Sequence, residues 1–378
     1  MGVARHHMSG KQFIAEHVKP IGSSGIRRVF ELGATMENAI NLSIGQPDFP
    51  VPERVKQAMI EAIRTDKNGY TVTRGIEPLR ERITAKLRRE FDWDADVFVT
   101  SGTSGGLVLA LMATLNPGEE VLIGDPYFVS YKHLIRLMGG VPVCVDLYDD
   151  FQLHPERFES AITEKTKMII ACSPGNPTGA VFRKDDLQAL AEIARRRDLL
   201  IVSDEIYCDL SYDGPNASPV PFAPERTLLL RGFGKSHAMT GLRMGYAAGP
   251  TALISEMAKL QQYTFVCAPH PAQFGALAAM DTDMSEKIES YRAKRDLVCA
   301  ELKKAFTFVR PSGGFYVFPE VPAKYPSATA FVDDAIANNV LIIPGEVFSE
   351  RDTHFRISYA ATDEKIREGC EILRSLAV

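Results

Sequence analysis

The chain has 378 residues, of which 45% are hydrophobic and 24% charged, and its formal net charge is −5. This balance is typical of a soluble globular protein, and the length suggests two domains. With this net negative charge, the sequence shows no cluster of basic residues of the kind that binds nucleic acids, so we expect no nucleic-acid partner.

The six cysteines are scattered, and no two form a C-x-x-C pair. Zinc and redox motifs are therefore absent, and thiols in a reducing compartment are expected. No apolar run reaches the length of a membrane span, and the N-terminus lacks the apolar segment of a secretory signal. We expect a cytoplasmic protein without a membrane partner. His6 and His7 could bind a metal, but a mobile tail is the preferred interpretation, and no metal site is predicted.

Short apolar runs alternate with helical patterns through the middle of the chain. Several runs are rich in Val, Ile and Leu without alternation, as in strands of a sheet covered on both faces. Helical patterns lie between them at Ser104–Leu115 and Lys184–Arg197. This rhythm predicts an α/β domain with a mainly parallel seven-stranded sheet. The predicted strands are Asp96–Thr100, Glu120–Gly124, Val141–Val145, Lys167–Cys172, Leu199–Asp204, Thr227–Arg231 and Gly245–Ala248.

From about Ser285 the pattern changes to that of a smaller α+β domain. A charged helical pattern is followed by short strands and two more helices, at Glu286–Ala305, Ala328–Asn338, Leu341–Ile343, His354–Ser358 and from Asp363. We expect an N-terminal segment that joins the small domain, a large domain, and a small C-terminal domain, with boundaries at 1–44, 45–284 and 285–378.

The first motif, Val99–Leu107 (V-T-S-G-T-S-G-G-L), follows a predicted strand and opens a helix. Small residues let the backbone approach an anion, and the free N–H groups of the first helical turn point at it. Thr103 and Ser104 add hydroxyl donors. The motif indicates an anion site, and a glycine-rich turn without a ligand is the alternative.

The second motif, Ser173–Gly179 (S-P-G-N-P-T-G), follows the strand Lys167–Cys172. Its two prolines fix a turn at the carboxyl end of that strand, where α/β sheets bind ligands. Asn176 can donate a side-chain N–H to a phenolate-like oxygen. A plain turn is the alternative.

The third motif, Leu199–Tyr207, places Asp204 at the end of a buried apolar strand. An unpaired carboxylate there would carry a large desolvation cost, so we expect a cationic partner, for which a protonated pyridine nitrogen is a good candidate. Tyr207 can reach a ring hydroxyl nearby. An aspartate that caps a turn is the alternative, but it does not explain why Asp204 and Tyr207 occur together.

The fourth motif is Arg231–Tyr246 (R-G-F-G-K-S-H-A-M-T-G-L-R-M-G-Y). Lys235 lies among small and apolar neighbours, which can lower its pKa and make it a nucleophile toward an aldehyde. Arg243 offers a planar set of donors for phosphate. His237 is interpreted as a packing residue rather than a catalytic one.

The patterns S-P-x-N-P-T-G, D-E-x-Y and K-x-x-x-M-T-G-x-R-x-G-Y, in this order and spacing, resemble those of fold-type I pyridoxal-phosphate (PLP) enzymes. The specific likeness is to class I/II aminotransferases of the bacterial aspartate and aromatic branch, and it covers nearly the whole chain. The resemblance implies the fold-type I PLP-dependent transferase architecture. It also implies pyridoxal 5′-phosphate as cofactor, and an amino acid and a 2-oxo acid as small-molecule partners.

The resemblance also implies roles for individual residues. Lys235 resembles the lysine that holds the cofactor as a Schiff base, and Asp204 matches the carboxylate that keeps the pyridine nitrogen protonated. Tyr207 and Asn176 match the donors to the ring oxygen O3′. The phosphate cup is expected at Gly102, Thr103, Ser104 and Arg243.

Further matches concern the ring, the partner subunit and the substrate. Phe128 lies where an aromatic ring stacks on the cofactor, with Tyr127 as the alternative register. Tyr70 resembles the tyrosine that reaches the phosphate of the neighbouring subunit, which implies a homodimer. Arg356 resembles the arginine that binds the α-carboxylate, a task that suits a bidentate guanidinium, although from sequence alone it could be a surface strand residue. Gly45 falls where a backbone N–H meets the same carboxylate.

The chain departs from the family pattern at three positions. Relatives often carry serine where this chain has Gly232 and Gly234, so a hydroxyl donor to phosphate is lost. Some relatives that use acidic substrates carry lysine where this chain has Ser104, which weakens an assignment to aspartate.

We expect a ping-pong transfer of an amino group between an L-amino acid and a 2-oxo acid such as 2-oxoglutarate. A PLP-dependent carbon–sulfur β-lyase, a non-catalytic PLP-sensing module and a generic α/β binding protein are the alternatives. The sequence does not name the substrate side chain. Residues around Ile21–Ile26, with Phe13, Tyr70 and Tyr127, are candidates for its pocket.

Overall fold

The structure is a computed structural model that describes residues 11–19 and 21–378, so His6 and His7 lie outside the described residues. The strands are β1 (Ile40–Asn41), β2 (Asp96–Ser101), β3 (Glu120–Asp125), β4 (Val141–Asp146), β5 (Thr166–Cys172), β6 (Leu200–Asp204), β7 (Thr227–Gly232), β8 (Met244–Gly249), β9 (Tyr316–Val317), β10 (Val340–Leu341), β11 (Ile343–Pro344) and β12 (Phe355–Ser358). The helices are α1 (Gly25–Gly33), α2 (Glu53–Arg64), α3 (Glu77–Phe91), α4 (Gly102–Thr114), α5 (Val129–Leu137), α6 (Pro155–Ala161), α7 (Lys184–Arg196), α8 (Thr251–Tyr263), α9 (His270–Ala279), α10 (Ser285–Leu302), α11 (Ala328–Ala337) and α12 (Asp363–Ala377).

In the described part of the chain, β2 to β8 form a seven-stranded sheet in the order β2-β8-β7-β6-β5-β3-β4. Neighbouring strands from β3 to β7 pair in parallel, whereas β8 is antiparallel to both β7 and β2. The prediction of a mainly parallel seven-stranded sheet is confirmed. Each predicted strand lies within one residue of the observed bounds at either end.

The sheet is covered on both faces, which explains the continuous apolar runs. On β5, Met168 and Ile170 pack into a core cluster with Leu107 of α4, while Ile169 packs on the opposite face with Leu187 of α7. Met168 and Ile169 are fully buried. A strand with helices on both sides therefore shows no alternation of apolar and polar residues.

The direction in which successive strands are added across the sheet reverses between β3 and β5, although these two strands are parallel. From β3 the chain moves outward to β4, then crosses back over β3 to β5 and continues through β6 and β7. The carboxyl ends of these strands, at Asp125, Cys172 and Asp204, therefore meet beside a topological switch point. Open α/β sheets bind ligands in the crevice at such a point.

The C-terminal part builds two small sheets, one with the order β11-β12-β9 and one that pairs β1 with β10. The prediction of a single strand at Leu341–Ile343 is wrong, because β10 pairs in parallel with β1 and β11 pairs antiparallel with β12. Ile342 between them is buried like its neighbours, so the apolar run gives no sign of the change of sheet. The pairing of Ile40 with Val340 supports an N-terminal segment that joins the small domain; the domain boundaries stay predictions.

Candidate active site

A cavity of about 300 Å³ opens at the carboxyl ends of the parallel strands. It is of the size that small-molecule sites need. Every site residue predicted from the sequence except Tyr70 lines this one cavity: Gly45, Gly102, Thr103, Ser104, Phe128, Asn176, Asp204, Tyr207, Lys235, Arg243 and Arg356. Residues separated by up to about three hundred positions in the chain thus meet at the switch point of the sheet.

Lys235 lies in the loop between β7 and β8, with its amine inside the cavity. Nζ donates a hydrogen bond to the carbonyl oxygen of Gly45 at 2.5 Å. Burial lowers the pKa of Lys235 to about 8, and the nearby guanidinium groups of Arg356 and Arg243 act in the same direction, while Asp204 opposes them. A lysine with such a pKa carries a useful fraction of free amine near neutral pH, as a nucleophile requires.

Asp204 ends β6 with its carboxylate buried. Tyr131 donates its hydroxyl to Oδ2 at 2.7 Å, and the backbone N–H of Ile206 donates to Oδ1 at 3.2 Å. Burial nevertheless raises the pKa of Asp204, and these hydrogen bonds only partly offset it. A cation at the open side of this carboxylate would hold it in its ionised form.

The first turn of α4 lies against Arg243, an arrangement that can bind an anion. Gly102, Thr103 and Ser104 begin the helix, so their backbone N–H groups have no partner four residues earlier within it. Gly102 has φ of +68°, and a Cβ added there would lie 2.9 Å from Nη2 of Arg243. The guanidinium therefore lies directly against the helix start, and Nη1 is held by the carbonyl of Thr240 at 2.9 Å.

Arg356 is buried on β12 and is held from two directions. Nη1 donates to Oδ1 of Asn176 at 2.9 Å, and Nη2 donates to the carbonyl of Ser43 at 2.7 Å. Its Nε is buried and has no hydrogen-bond partner among the described residues. The guanidinium carbon lies 4.4 Å from the centroid of the Tyr316 ring, so the group is fixed in orientation. Arg356 is thus a cavity residue, and the alternative of a surface strand residue is wrong.

Asn176 and Tyr207 face the cavity from the ends of neighbouring strands. Because the amide oxygen of Asn176 accepts from Arg356, its NH₂ group is the part that can serve a ligand. The Tyr207 hydroxyl lies 3.1 Å from that of Tyr316, and burial raises the pKa of Tyr207 well above its ordinary value. Tyr207 therefore stays protonated and can donate a hydrogen bond.

The structure locates several side chains whose positions the sequence left open. Phe128 lines the cavity, whereas the ring of Tyr127 is buried outside it, which favours Phe128 over Tyr127 as the aromatic residue beside a ligand. Tyr70 lies outside the cavity with 84% of its surface exposed, and Phe13 is likewise exposed. Of the segment Ile21–Ile26, Ile26 reaches the cavity.

His237 lies outside the lining of the cavity, and its Nδ1 lies 2.8 Å from the Ser236 hydroxyl. It is buried, and burial lowers its pKa. This position agrees with a packing residue.

Sequence reasoning missed two tyrosines. Tyr131 lies one helical turn after Phe128, so its spacing on α5 gave the signal that both rings face the same side. Tyr316 lies on β9, and the place of its ring between Tyr207 and Arg356 depends on contacts between distant parts of the chain, for which the local sequence gives no signal.

The family model for class I and II aminotransferases matches residues 37–373. A protein of Bacillus subtilis named putative aminotransferase YugH is 40% identical over 94% of this chain and 96% of its own length. An aspartate/prephenate aminotransferase of Thermus thermophilus is 36% identical over 96% of this chain and 98% of its own. The solved structure of aspartate aminotransferase from Thermus thermophilus with maleate superposes with a TM-score of 0.92, at 36% identity, over 96% of this chain and 99% of that one.

Fold and cavity together define an enzyme of the fold-type I, PLP-dependent class. The chain belongs to the class I and II aminotransferase family. It is an aminotransferase, and pyridoxal 5′-phosphate is its cofactor. Along residues 11–19 and 21–378, helices long and apolar enough to span a bilayer are absent.

Proposed function

We propose that this aminotransferase moves an amino group between an L-amino acid and a 2-oxo acid, with 2-oxoglutarate as acceptor, through a ping-pong mechanism in which Lys235 is the catalytic residue. The observation that carries the proposal is the single cavity in which the Lys235 amine, the buried Asp204 and the oriented Arg356 face one another. The cavity residues fit pyridoxal phosphate in three respects: a carboxylate that needs a cation, an anion site and an amine with a lowered pKa.

Asp204, Asn176 and Tyr207 are proposed to hold the ring of the cofactor. When bound, pyridoxal phosphate supplies an aldehyde that condenses with amines and a ring that withdraws electrons from the substrate Cα. Asp204 would receive the protonated ring nitrogen, which offsets the burial of its charge. The Asn176 amide and the Tyr207 hydroxyl would donate to the ring oxygen, and Phe128 would cover the ring face.

The phosphate would lie at the start of α4. Gly102, Thr103 and Ser104 provide backbone N–H groups and two hydroxyls there, and Arg243 provides positive charge. Helix N-termini favour anions because their free N–H groups and the helix dipole point in the same direction.

Arg356 and Gly45 are proposed to bind the α-carboxylate of the substrate. The Nε–H of Arg356 is buried without a partner among the described residues, and a guanidinium forms charge-assisted hydrogen bonds with a carboxylate. The Gly45 backbone borders both this arginine's cavity and the Lys235 amine. The carboxylate would therefore place Cα beside Lys235, whose free amine can take the Cα proton and deliver it to C4′ of the cofactor.

We propose a homodimer in which Tyr70 completes the phosphate site of the partner subunit. Tyr70, Val72 and Tyr263 are 84%, 71% and 85% exposed, which is unusual for large apolar side chains and is typical of a surface that another chain covers. The loop that carries Tyr70 is held at the neighbouring residue, because Nδ1 of His270 lies 2.9 Å from the carbonyl oxygen of Gly69.

Subunit complementation tests the shared site. Lys235→Ala and Tyr70→Ala variants are each expected to be nearly inactive, whereas mixed dimers contain one site with both residues intact. We expect activity to reappear after the two variants are unfolded together and refolded. A monomer, or no recovery in mixed dimers, would contradict the assignment of Tyr70.

A cytoplasmic location also stays a proposal. All six cysteines are free, and two of them, Cys299 and Cys370, are buried as thiols. Free thiols are typical of a reducing compartment.

The test of the function is a panel of L-amino acids with 2-oxoglutarate, in which the purified enzyme should form glutamate with ping-pong kinetics. Lys235→Ala should lose turnover and should give no pyridoxyl adduct after borohydride reduction and peptide mapping. Lys259→Ala, at an exposed lysine of α8, is the matched control and should keep both the turnover and the pyridoxyl adduct at Lys235. Pyruvate and ammonia released from cystathionine without a 2-oxo acid would favour the β-lyase.

A further inference from the structure

A second cavity of about 320 Å³ adjoins the active-site cavity. The two cavities share Ile26, Ile44, Gly45 and Phe128. Because Gly45 accepts a hydrogen bond from the Lys235 amine and Phe128 borders the proposed ring position, the second cavity begins next to the reacting atoms. We call it the side-chain annex, and its walls include Ile26, Phe30, Ile44, Phe128 and Val129, with Arg27 at its edge.

The walls of the annex are mostly apolar. Ile26 and Phe30 come from α1, Ile44 from the segment after β1, and Phe128 and Val129 from the start of α5. A substrate side chain in this space exchanges part of its contact with water for contact with carbon atoms. Apolar and aromatic side chains gain free energy from that exchange, whereas a carboxylate loses hydration.

Within the described residues of one subunit, the cations that line the two cavities leave no buried charge for a second carboxylate. Among the described residues these cations are Lys235, Arg243, Arg356 and Arg27. The first three are already assigned to the cofactor and the α-carboxylate.

Arg27 has other partners at the surface. Its Nε lies 3.1 Å from Oε1 of Glu31, and both side chains are about two-thirds exposed (67% and 66%). Its guanidinium also lies 5.3 Å from the centroid of the Phe30 ring. An exposed, paired and solvated cation gives little stabilisation to a further anion.

We propose that the annex receives the side chain of the amino donor and selects L-amino acids with large apolar or aromatic side chains over acidic ones. This selectivity rests on the proposed function, because it assumes that Arg356 holds the α-carboxylate and Lys235 acts at Cα.

The experiment measures kcat/KM of the holoenzyme for phenylalanine, leucine, aspartate and alanine with 2-oxoglutarate. We expect phenylalanine and leucine to exceed aspartate by about tenfold or more, because a pocket without a paired charge rejects a buried carboxylate. Aspartate as the best donor would overturn the proposal. Failure of every donor would instead overturn the proposed function, and the annex assignment with it.

Ile26→Arg places a cation inside the annex and tests its location. The ratio of kcat/KM for phenylalanine to that for aspartate should fall by about tenfold. Leu32→Arg is the matched control, because it adds the same charge to the same helix but lies outside both cavities, and it should leave the ratio unchanged. An unchanged ratio in Ile26→Arg would place the donor side chain elsewhere.

The binding of substrate analogues that do not react gives a second measurement, which tests the annex even if Ile26→Arg folds poorly. The change in cofactor absorbance on adding 3-phenylpropionate or succinate gives the dissociation constant of each acid for wild type and for Phe30→Ala. We expect wild type to bind 3-phenylpropionate more tightly, and Phe30→Ala to weaken 3-phenylpropionate alone. Tighter binding of succinate by wild type, or equal weakening of both acids, would contradict the annex.

Discussion

The phenolic oxygen of Tyr131 lies 2.7 Å from Oδ2 of Asp204, in the interior of the protein. Both side chains are buried, and burial raises the pKa of Tyr131 well above its ordinary value, so the tyrosine stays protonated and donates. The hydrogen bond lowers the pKa of Asp204 against the opposing effect of burial. Tyr131 is thus a positioning residue for the carboxylate proposed to bind the ring nitrogen.

Tyr131→Phe should weaken cofactor binding while leaving the fold intact. The variant removes one hydrogen bond to a buried carboxylate, which contributes about 1.5 kcal/mol, so the dissociation constant of pyridoxal phosphate should rise about tenfold. The pKa of Asp204 should also rise, and the pH above which the cofactor binds tightly should rise with it. Fluorescence titration of the apoenzyme between pH 5 and 9 measures both. Tyr127→Phe, outside the cavity, is the control, and equal effects in the two variants would argue for a merely structural role.

Attachment of the cofactor should depend on the free amine of Lys235. Since the pKa of Lys235 is lowered to about 8, the rate of recombination of the apoenzyme with pyridoxal phosphate should rise with pH and level off above that value. The guanidinium of Arg356 lowers this pKa, so Arg356→Gln should move the midpoint to higher pH and slow recombination at pH 7. Arg310→Gln, at a half-exposed residue, is the control. A midpoint that is the same in Arg356→Gln and wild type would show that the charge of Arg356 does not affect the pKa of Lys235.

The large sheet could be predicted because its strands are buried on both faces and end in motifs with local causes. Asp204 and Asn176 each follow an apolar run, so their place at the carboxyl edge of the sheet depends on the local pattern and on parallel pairing alone. Lys235 could be assigned for the same reason: its neighbours in the chain are small, and the loop follows a strand.

Other features depend on contacts between distant parts of the chain. The hydrogen bonds of Arg356 join β12 to Asn176 and Ser43, which are 180 and 313 positions away, and no local pattern records such contacts. The change of sheet at Ile342 could not be predicted, because β10 and β11 both consist of apolar residues and form one continuous apolar run. Tyr70 is a different case, because its proposed function needs a second chain.

Arg231 lies at the centre of a buried ionic network that supports the strand leading to Lys235. Nη2 lies 2.7 Å from Glu205, Nη1 lies 2.8 Å from Glu90, and both Arg231 and Glu205 are almost fully buried. Arg231→Met would leave Glu205 buried without its cation. Urea unfolding of the cofactor-free protein should show that the free energy of unfolding falls by about 3–5 kcal/mol. Arg195→Met, which breaks the half-exposed pair with Glu225, should cost about 1 kcal/mol or less. Similar losses in both variants would mean that the network is effectively solvated.

Gly234 offers a way to restore a hydroxyl that relatives often have next to the lysine. It lines the cavity, and a Cβ added there would meet only the Cα of Thr240, at 3.7 Å, which is an ordinary contact. Gly234→Ser should therefore fold normally, and its hydroxyl should add a donor to the phosphate site. We expect about fivefold tighter binding of pyridoxal phosphate, from one added hydrogen bond. Gly234→Ala supplies the Cβ without the hydroxyl and should bind as wild type does.

Gly232 gives the contrasting case. A Cβ there would lie 3.0 Å from the carbonyl oxygen of Met244 and 3.1 Å from Cδ1 of Ile206, so a serine would need its neighbours to move. Gly232→Ser should therefore lower the urea midpoint, whereas Gly234→Ser should leave it unchanged. Binding of pyridoxal, which lacks the phosphate, should be equal in wild type and Gly234→Ser. If the serine tightened pyridoxal as much as pyridoxal phosphate, its hydroxyl would act on the ring, and the phosphate site would lie further from residue 234 than α4 and Arg243 indicate.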